Sequence, residues 1–295
     1  MYKIIRDFFY GLAFGITETI PGVSAGTIAI ILGFYFELIE TINHFTQNIR
    51  KSLKFLVPLI IGIVAGVVLF SSLIHYLLSH YSFPVMLFFI GLIAGIIPHI
   101  FFKVKERGRK PEVREIALIV IPLVLLVLLS TLKGVTAADP EEVMRNINIP
   151  FMVFIFFTGI LAAAALVIPG ISGSFVMLLL GIYPLVIYAV SSIRIFFADP
   201  SDTALLLNIC KVLTPLAIGV IIGGLSMVRL IEKLLKNYHK TVYAIILGLL
   251  LGSVCVLAKD PMVYKSGISA IIVIAGIAAF AAGTVLSYRL GKKRL

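Results

Sequence analysis

The stretch PGVSAGT at residues 21–27 has a second version in the same chain, PGISGS at residues 169–174. Each stretch ends one apolar run and opens another. Proline has no backbone N–H to donate and glycine adds conformational freedom, so Pro-Gly inside an apolar run breaks a helix. The serine that follows, Ser24 or Ser172, is placed to restart a helix and cap its free N–H groups. Two matched breaks favour a binding site over a pair of ordinary proline kinks, because broken membrane helices occur where the backbone is buried in protein or lines a cavity.

Composition places the chain in a membrane. Of its 295 residues, 60% are hydrophobic and 13% are charged, and apolar runs of about 20 residues recur. These runs are apolar on all sides, which is typical of helices and not of β-barrel strands. The net charge of +11 is concentrated in loops, as membrane topology predicts, so it gives no reason to expect nucleic-acid binding. Cys210 and Cys255 are isolated in apolar sequence, so we expect no metal site.

We therefore expect an all-α polytopic membrane protein with about ten helical segments. They are predicted at residues 4–20, 24–43, 56–78, 84–102, 116–132, 149–168, 172–193, 212–230, 242–257 and 268–290. A polar linker at 133–149 separates a first membrane repeat (1–132) from a second (150–295).

The two halves look like copies of one five-segment unit. The prolines of the two Pro-Gly stretches are 148 positions apart. Further pairs share a spacing of 157 positions, namely Pro58 with Pro215, Gly91 with Gly248, and Gly95 with Gly252. The change in spacing falls in connecting loops, where insertions cost least.

Basic residues predict the orientation of the helices. The loops at 103–114 and 229–240 and the C-terminal tail are rich in Lys and Arg, so they are expected in the cytoplasm, together with the N-terminus. The acidic linker at 133–149 is then expected outside. Five segments per half is an odd number, so the halves must be inverted relative to each other, an arrangement found in secondary transporters.

Each half is expected to open with a helix hairpin broken at Pro-Gly. Only about 13 residues separate Asp7 from Pro21, about 20 Å of helix against a hydrocarbon core of about 30 Å. We therefore favour re-entrant hairpins that meet near the midplane, although fully spanning segments would give the same loop sidedness.

Two helix N-termini at the midplane would offer free N–H groups and the positive ends of helix dipoles to an anion. Glycine permits close approach of a phosphate to the backbone, and hydroxyls add donors. The predicted phosphate-binding residues are Gly22, Ser24, Gly26, Thr27, Gly170, Ser172, Gly173 and Ser174, with Pro21 and Pro169 as the helix breaks. The alternative is that the hydroxyls only cap their helices and the glycines only allow close packing.

Glu18 lies in the apolar region one turn before the first break. An intramembrane acid by default marks an ion or proton pathway, so we assign Glu18 to coupling with protons or sodium ions. Its counterpart in the second half is Leu166, so the halves differ chemically. The alternative is that Glu18 caps the neighbouring helix or pairs with a base such as Arg6. Arg194 and Arg229, at helix ends, are further candidate phosphate partners.

The chain contains no nucleophile elbow, phosphate-binding Walker loop or metal cluster, so an enzyme is not expected, and neither is a cofactor. A membrane lipid phosphatase would need a nucleophile or acid–base pair that the sequence lacks.

The paired motifs resemble those of the bacterial polyprenyl-phosphate transporters, the PopT family. The likeness rests on PGVSxGT preceded by an intramembrane acid and on PGISGS in the second half, and it covers essentially the whole chain. Ala25 stands where that family usually has a glycine. The resemblance implies a flippase of the bacterial cytoplasmic membrane that returns undecaprenyl phosphate from the outer to the inner leaflet for cell-wall synthesis. A transporter of a small soluble anion using the same site is the alternative.

Overall fold

The computed structural model describes residues 2–20, 23–104, 113–131, 139–198, 200–264 and 269–294. Their secondary structure is helical. The α-helices are α1 (Tyr2–Glu18), α2 (Ala25–Ile31), α3 (Tyr35–Asn43), α4 (Ile49–His80), α5 (Ser82–Val104), α6 (Val113–Thr131), α7 (Pro140–Arg145), α8 (Ile149–Val167), α9 (Gly173–Leu179), α10 (Tyr183–Ala198), α11 (Thr203–Asn237), α12 (His239–Lys259) and α13 (Ala270–Arg294). A 3₁₀ turn at Pro261–Tyr264 follows α12.

Seven of the described helices are long and apolar enough to cross a membrane, namely α4, α5, α6, α8, α11, α12 and α13. The number is nine if each of the bent pairs α2–α3 and α9–α10 counts as one span. Large apolar side chains such as Leu69 (69% exposed) and Ile271 (80% exposed) point outward from these helices, as expected where the surroundings are lipid. The chain is an all-α protein with several membrane spans, as the sequence predicts.

The second and seventh predicted segments are not continuous helices. The chain bends by 112° between α2 and α3 and by 113° between α9 and α10. Gly33 and Gly181 lie in these bends, both with φ of 73°, a left-handed conformation that favours glycine. The N–H of the next residue closes each turn on a carbonyl five positions earlier, at 3.0 Å for Phe34 and 2.9 Å for Ile182. A single glycine in an apolar pattern is tolerated within helices, which is why the sequence pattern alone did not predict these bends.

The polar linker contains a short helix, α7. Asp139 precedes it and accepts a hydrogen bond at 3.1 Å from the N–H of Glu141, which caps the helix. Residues 132–138 of the linker and residues 105–112 of the basic loop lie outside the described part of the chain.

The helices form two compact units. The first comprises residues 1–131, 168–171 and 228–295, and the second comprises residues 132–167 and 172–227. In the first unit α2 is buried along its whole length, and α5 and α12 supply much of the remaining core. In the second unit the core includes Met144, Ile155, Ile182 and Val212.

Helix α3 is tied to its neighbours in the first unit by polar contacts near both of its ends. Arg6 of α1 contacts Glu37 at 3.1 Å as well as the adjacent Asp7 at 2.7 Å. At the other end, Asn43 donates to the carboxylate of Glu232 on α11, which also pairs with Lys236 at 2.5 Å.

The same close helix crossing recurs in the two halves of the sequence. Methyl groups at Gly62 and Gly219 would lie 2.1 Å from the carbonyl oxygens of Phe8 and Phe156, respectively. The two glycines are 157 positions apart and the two phenylalanines 148, the spacings of the sequence repeat. These glycines therefore let α1 pack closely on α4, and α8 on α11, at equivalent positions in the two halves of the sequence.

The last helix of each half packs on the fourth segment of the other half, within the first unit. A methyl group at Gly91 of α5 would lie 2.3 Å from the carbonyl oxygen of Phe280 on α13. The corresponding Gly248 of α12 approaches Ile119 on α6 at 2.1 Å in the same way. The final helix of each half of the sequence therefore packs against the other half within the first unit.

Candidate functional site

The first break begins where α1 ends at Glu18. The next residues form a tight turn in which the N–H of Thr19 donates to the carbonyl of Ile16 at 3.2 Å. The hydroxyls of Thr17 and Thr19 donate to backbone carbonyls of α1 at 2.8 and 2.6 Å, so both are satisfied within the helix end. The chain resumes in extended conformation before α2. Two of the predicted site residues, Pro21 and Gly22, lie outside the described residues.

Ser24 precedes α2 with the extended backbone typical of a capping residue, yet its side chain makes no capping hydrogen bond. The predicted capping role of this hydroxyl is therefore wrong. Ser24 is 3% exposed, and its Oγ has no hydrogen-bond partner among the described residues. A buried hydroxyl without a partner costs about 1–3 kcal/mol, so it calls for an explanation.

The second break is held by hydrogen bonds within the first unit. The N–H of Gly170 donates to Oγ1 of Thr27 at 3.0 Å. The carbonyl of Gly170 accepts from Oγ of Ser253 on α12 at 2.6 Å, and that hydroxyl also lies 2.8 Å from the carbonyl of Leu249. Gly170 has a φ of +93°, and a methyl group there would lie 2.9 Å from Cβ of Leu249. The backbone at this tip is thus fixed by a residue of the first motif and by α12.

Ser253 was not among the residues predicted from sequence. It directly follows Gly252 in the stretch GLLLGS at residues 248–253, in which two glycines are four positions apart. A serine beside a glycine that allows close packing in an apolar helix is a usable signal for a hydrogen bond between segments. Its position relative to the Pro-Gly tip becomes visible only in the fold.

The second motif continues in the second unit. Oγ of Ser172 and Oγ of Ser174 lie 2.7 Å apart, and Ser172 likewise makes no capping bond to α9. Gly173 allows close packing, since a methyl group there would lie 2.7 Å from the carbonyl oxygen of Ala162 on α8.

Helices α2 and α9 have seven residues each, much shorter than the predicted segments. The dipole of so short a helix supports an anion less than that of a long one. Gly26 is buried within α2. The donors present at the motifs are therefore mainly hydroxyls and the first backbone N–H groups of each helix.

The charged candidates take no part in these hydrogen bonds. Glu18 is exposed and has no ion pair or hydrogen bond within the described part of the chain. Arg6, its suggested partner, bonds Asp7 and Glu37. Arg194 on α10 and Arg229 on α11 are exposed, and within the described residues neither forms a hydrogen bond or an ion pair with the Pro-Gly motifs.

Comparison with known proteins places this sequence, with both motifs, in a family. The model of the VCA0040-like family, described as undecaprenyl phosphate translocase-like, matches residues 14–266, which include both motifs. The chain belongs to this family.

Two curated relatives match over most of their length. A polyprenyl-phosphate transporter of Staphylococcus aureus (strain NCTC 8325 / PS 47) is 28% identical over 245 residues, 82% of this chain and 82% of the relative. A polyprenyl-phosphate transporter of Vibrio cholerae serotype O1 (strain ATCC 39315 / El Tor Inaba N16961) is 28% identical over 264 residues, 84% of this chain and 76% of the relative. No solved structure matches the chain.

Proposed function

We propose that this protein transports polyprenyl phosphate, specifically undecaprenyl phosphate, and returns it from the outer to the inner leaflet of the bacterial cytoplasmic membrane. Membership of a translocase-like family and two relatives named polyprenyl-phosphate transporters support the substrate class. In this proposal the chain is not an enzyme, because the lipid crosses the membrane without a bond being made or broken.

The physical problem in moving this lipid is its headgroup. The isoprenoid tail is as apolar as the bilayer and can stay in it, whereas a phosphate in hydrocarbon loses its hydration. A flippase therefore needs polar donors at membrane depth and an opening for the tail. Hydroxyls and backbone N–H groups serve as such donors without introducing a charge into the membrane.

The observation that carries the proposal is the buried hydroxyl of Ser24, which lacks a partner in the described structure and lies beside the backbone N–H groups at the start of α2. In our proposal this hydroxyl donates to the lipid phosphate. The sequence repeat leads us to propose the same role for Ser172 and Ser174 of the second motif. We also propose that Gly22, Gly26, Gly170 and Gly173 let the phosphate approach the backbone. Glu18 carries a proton or sodium ion during the cycle.

A reconstituted transport assay tests the function. Proteoliposomes containing the purified protein are loaded with undecaprenyl phosphate, and its movement between leaflets is followed in the presence of excess soluble phosphate. We expect movement that soluble phosphate does not inhibit. Uptake of soluble phosphate with no movement of the lipid would instead identify a transporter of a small anion.

A further inference from the structure

A groove of about 670 Å³ runs between α1 and α4 in the first unit. Its volume falls within the range of about 300–1,000 Å³ typical of small-molecule sites. The walls are apolar and include Ile4 and Phe8 of α1 together with Val57 and Ile61 of α4. No function described above uses this groove.

Two cations complete the groove. Arg50 and Lys54 lie one turn apart near the start of α4, and both line it. Neither has a carboxylate partner within the described residues. From Arg50 to Ile61 the helix rises about 16 Å, so the groove has a cationic end and an apolar body along one face of α4.

This arrangement matches a lipid whose phosphate is a monoester. A phosphomonoester carries about −1.5 to −2 charges near neutral pH, which two unpaired cations complement. The phosphodiester of an ordinary phospholipid carries a single negative charge and two acyl tails.

The second half of the sequence lacks this pair. The position equivalent to Arg50 is Leu207, and the position equivalent to Lys54 is Lys211, whose Nζ lies 3.4 Å from Oδ1 of Asn208. The paired cations are thus specific to the α1–α4 crossing. Sequence topology predicts that this end of α4 faces the cytoplasm.

We propose that the α1–α4 groove is a binding site for a polyprenyl phosphate in the inner leaflet, with the phosphate at Arg50 and Lys54 and the isoprenoid chain along Val57 and Ile61. The inference rests on the proposed function, because it names the same lipid. It adds a second lipid site, distinct from the Pro-Gly motifs, where the lipid is held on the cytoplasmic side of the membrane.

Photo-crosslinking tests the site directly. The probe is undecaprenyl phosphate with a diazirine in an isoprene unit near the phosphate, added to the full-length protein in phosphatidylcholine vesicles. After irradiation, labelled peptides are mapped by mass spectrometry. We expect labelling at residues 4–8 and 53–61 that excess undecaprenyl phosphate removes and an equal amount of phosphatidylglycerol does not.

Variants of α4 provide matched pairs. The double variant Arg50→Gln/Lys54→Gln removes the charges and should lower groove labelling by about tenfold or more. Val57→Trp fills the groove and should also abolish labelling there. Lys51→Gln and Val64→Trp are the controls, because Lys51 and Val64 are exposed on the same helix and do not line the groove.

Equal labelling of the groove variants and their controls, or equal competition by phosphatidylglycerol, would overturn the inference. Transport is measured on the same preparations to separate the two proposals. A wild-type protein that moves the lipid but is not labelled in the groove would refute the groove site alone. A protein that is labelled in the groove but moves no lipid would refute the proposed transport alone.

Discussion

Gly170 illustrates how single residues fix the geometry of the second motif. Glycine readily adopts its φ of +93°, whereas other residues would be strained in this conformation. Its N–H and its carbonyl each have a side-chain partner, Thr27 and Ser253. Because Thr27 belongs to the first motif, the hydroxyl expected to bind phosphate also holds the tip of the second motif in place.

Thr27→Val is expected to destabilise the protein. The substitution preserves the shape of the side chain but leaves the buried N–H of Gly170 without an acceptor, a loss of about 1–3 kcal/mol. Thermal unfolding in detergent micelles, followed by circular dichroism, measures the effect. Thr27→Ser retains the hydroxyl and should unfold within a degree or two of wild type. A Thr27→Val protein as stable as wild type would mean that the hydrogen bond contributes nothing to the fold.

Glu18→Gln is expected to leave the fold intact and to impair transport. The carboxylate forms no hydrogen bond or ion pair with the described residues, and in our proposal it binds a proton or sodium ion during the cycle. Lipid movement in proteoliposomes is compared for the variant and wild type across pH and sodium gradients. Wild-type rates under all gradients would show that Glu18 plays no part in coupling.

At the scale of helices, close crossings through glycine determine which segments pack together. Gly62 lets α1 approach α4, and Gly219 lets α8 approach α11, at equivalent atoms. Gly33 and Gly181 impose equal bends after the two short helices. Each half of the sequence therefore contains the same local geometry, although α2 is fully buried whereas α9 is buried only at Gly173.

Gly62→Val and Gly219→Val are expected to destabilise the protein by similar amounts. In both variants the new side chain would meet a backbone carbonyl oxygen at about 2 Å, so the helices must separate, at a cost of about 1–3 kcal/mol or more. Gly224→Ala is the control, because a methyl group there meets only Cβ of Ala163 at 3.9 Å. Thermal unfolding of the three variants makes the comparison. A large difference between the first two would argue against equivalent roles for the two crossings.

Much of this organisation could be predicted from the sequence. The apolar runs predicted the long helices, and the two Pro-Gly stretches predicted helix breaks. In the structure α1 ends at Glu18 and α8 ends at Val167. The bends at Gly33 and Gly181 were not predicted, because one glycine in an apolar run does not by itself end a helix. The contact between Ser253 and Gly170 joins residues 83 positions apart, and a single sequence contains no signal that pairs them.

At the scale of the whole molecule, basic loops predict the orientation. We expect the 103–114 loop and both termini in the cytoplasm and the linker around Glu141 outside. Single cysteines in these loops, on a background in which Cys210 and Cys255 are replaced, are probed with an impermeant thiol reagent on intact cells. A cysteine in the linker should react, and one in the 103–114 loop should not. Labelling of the 103–114 loop from outside would contradict the inverted arrangement.

The central claim is our proposal, drawn from the sequence repeat, that the serines of the two Pro-Gly-Ser motifs donate to the lipid phosphate. Binding of undecaprenyl phosphate and of its neutral alcohol is measured on wild type, Ser24→Ala, Ser172→Ala and the control Ser71→Ala on α4. Charge-assisted hydrogen bonds are worth about 1.5–3 kcal/mol each. We therefore predict that either motif variant weakens phosphate binding by about tenfold or more, that Ser71→Ala does not, and that the alcohol binds poorly to all four proteins. Equal affinity of wild type for the two lipids, or undiminished phosphate binding by both motif variants, would contradict the claim.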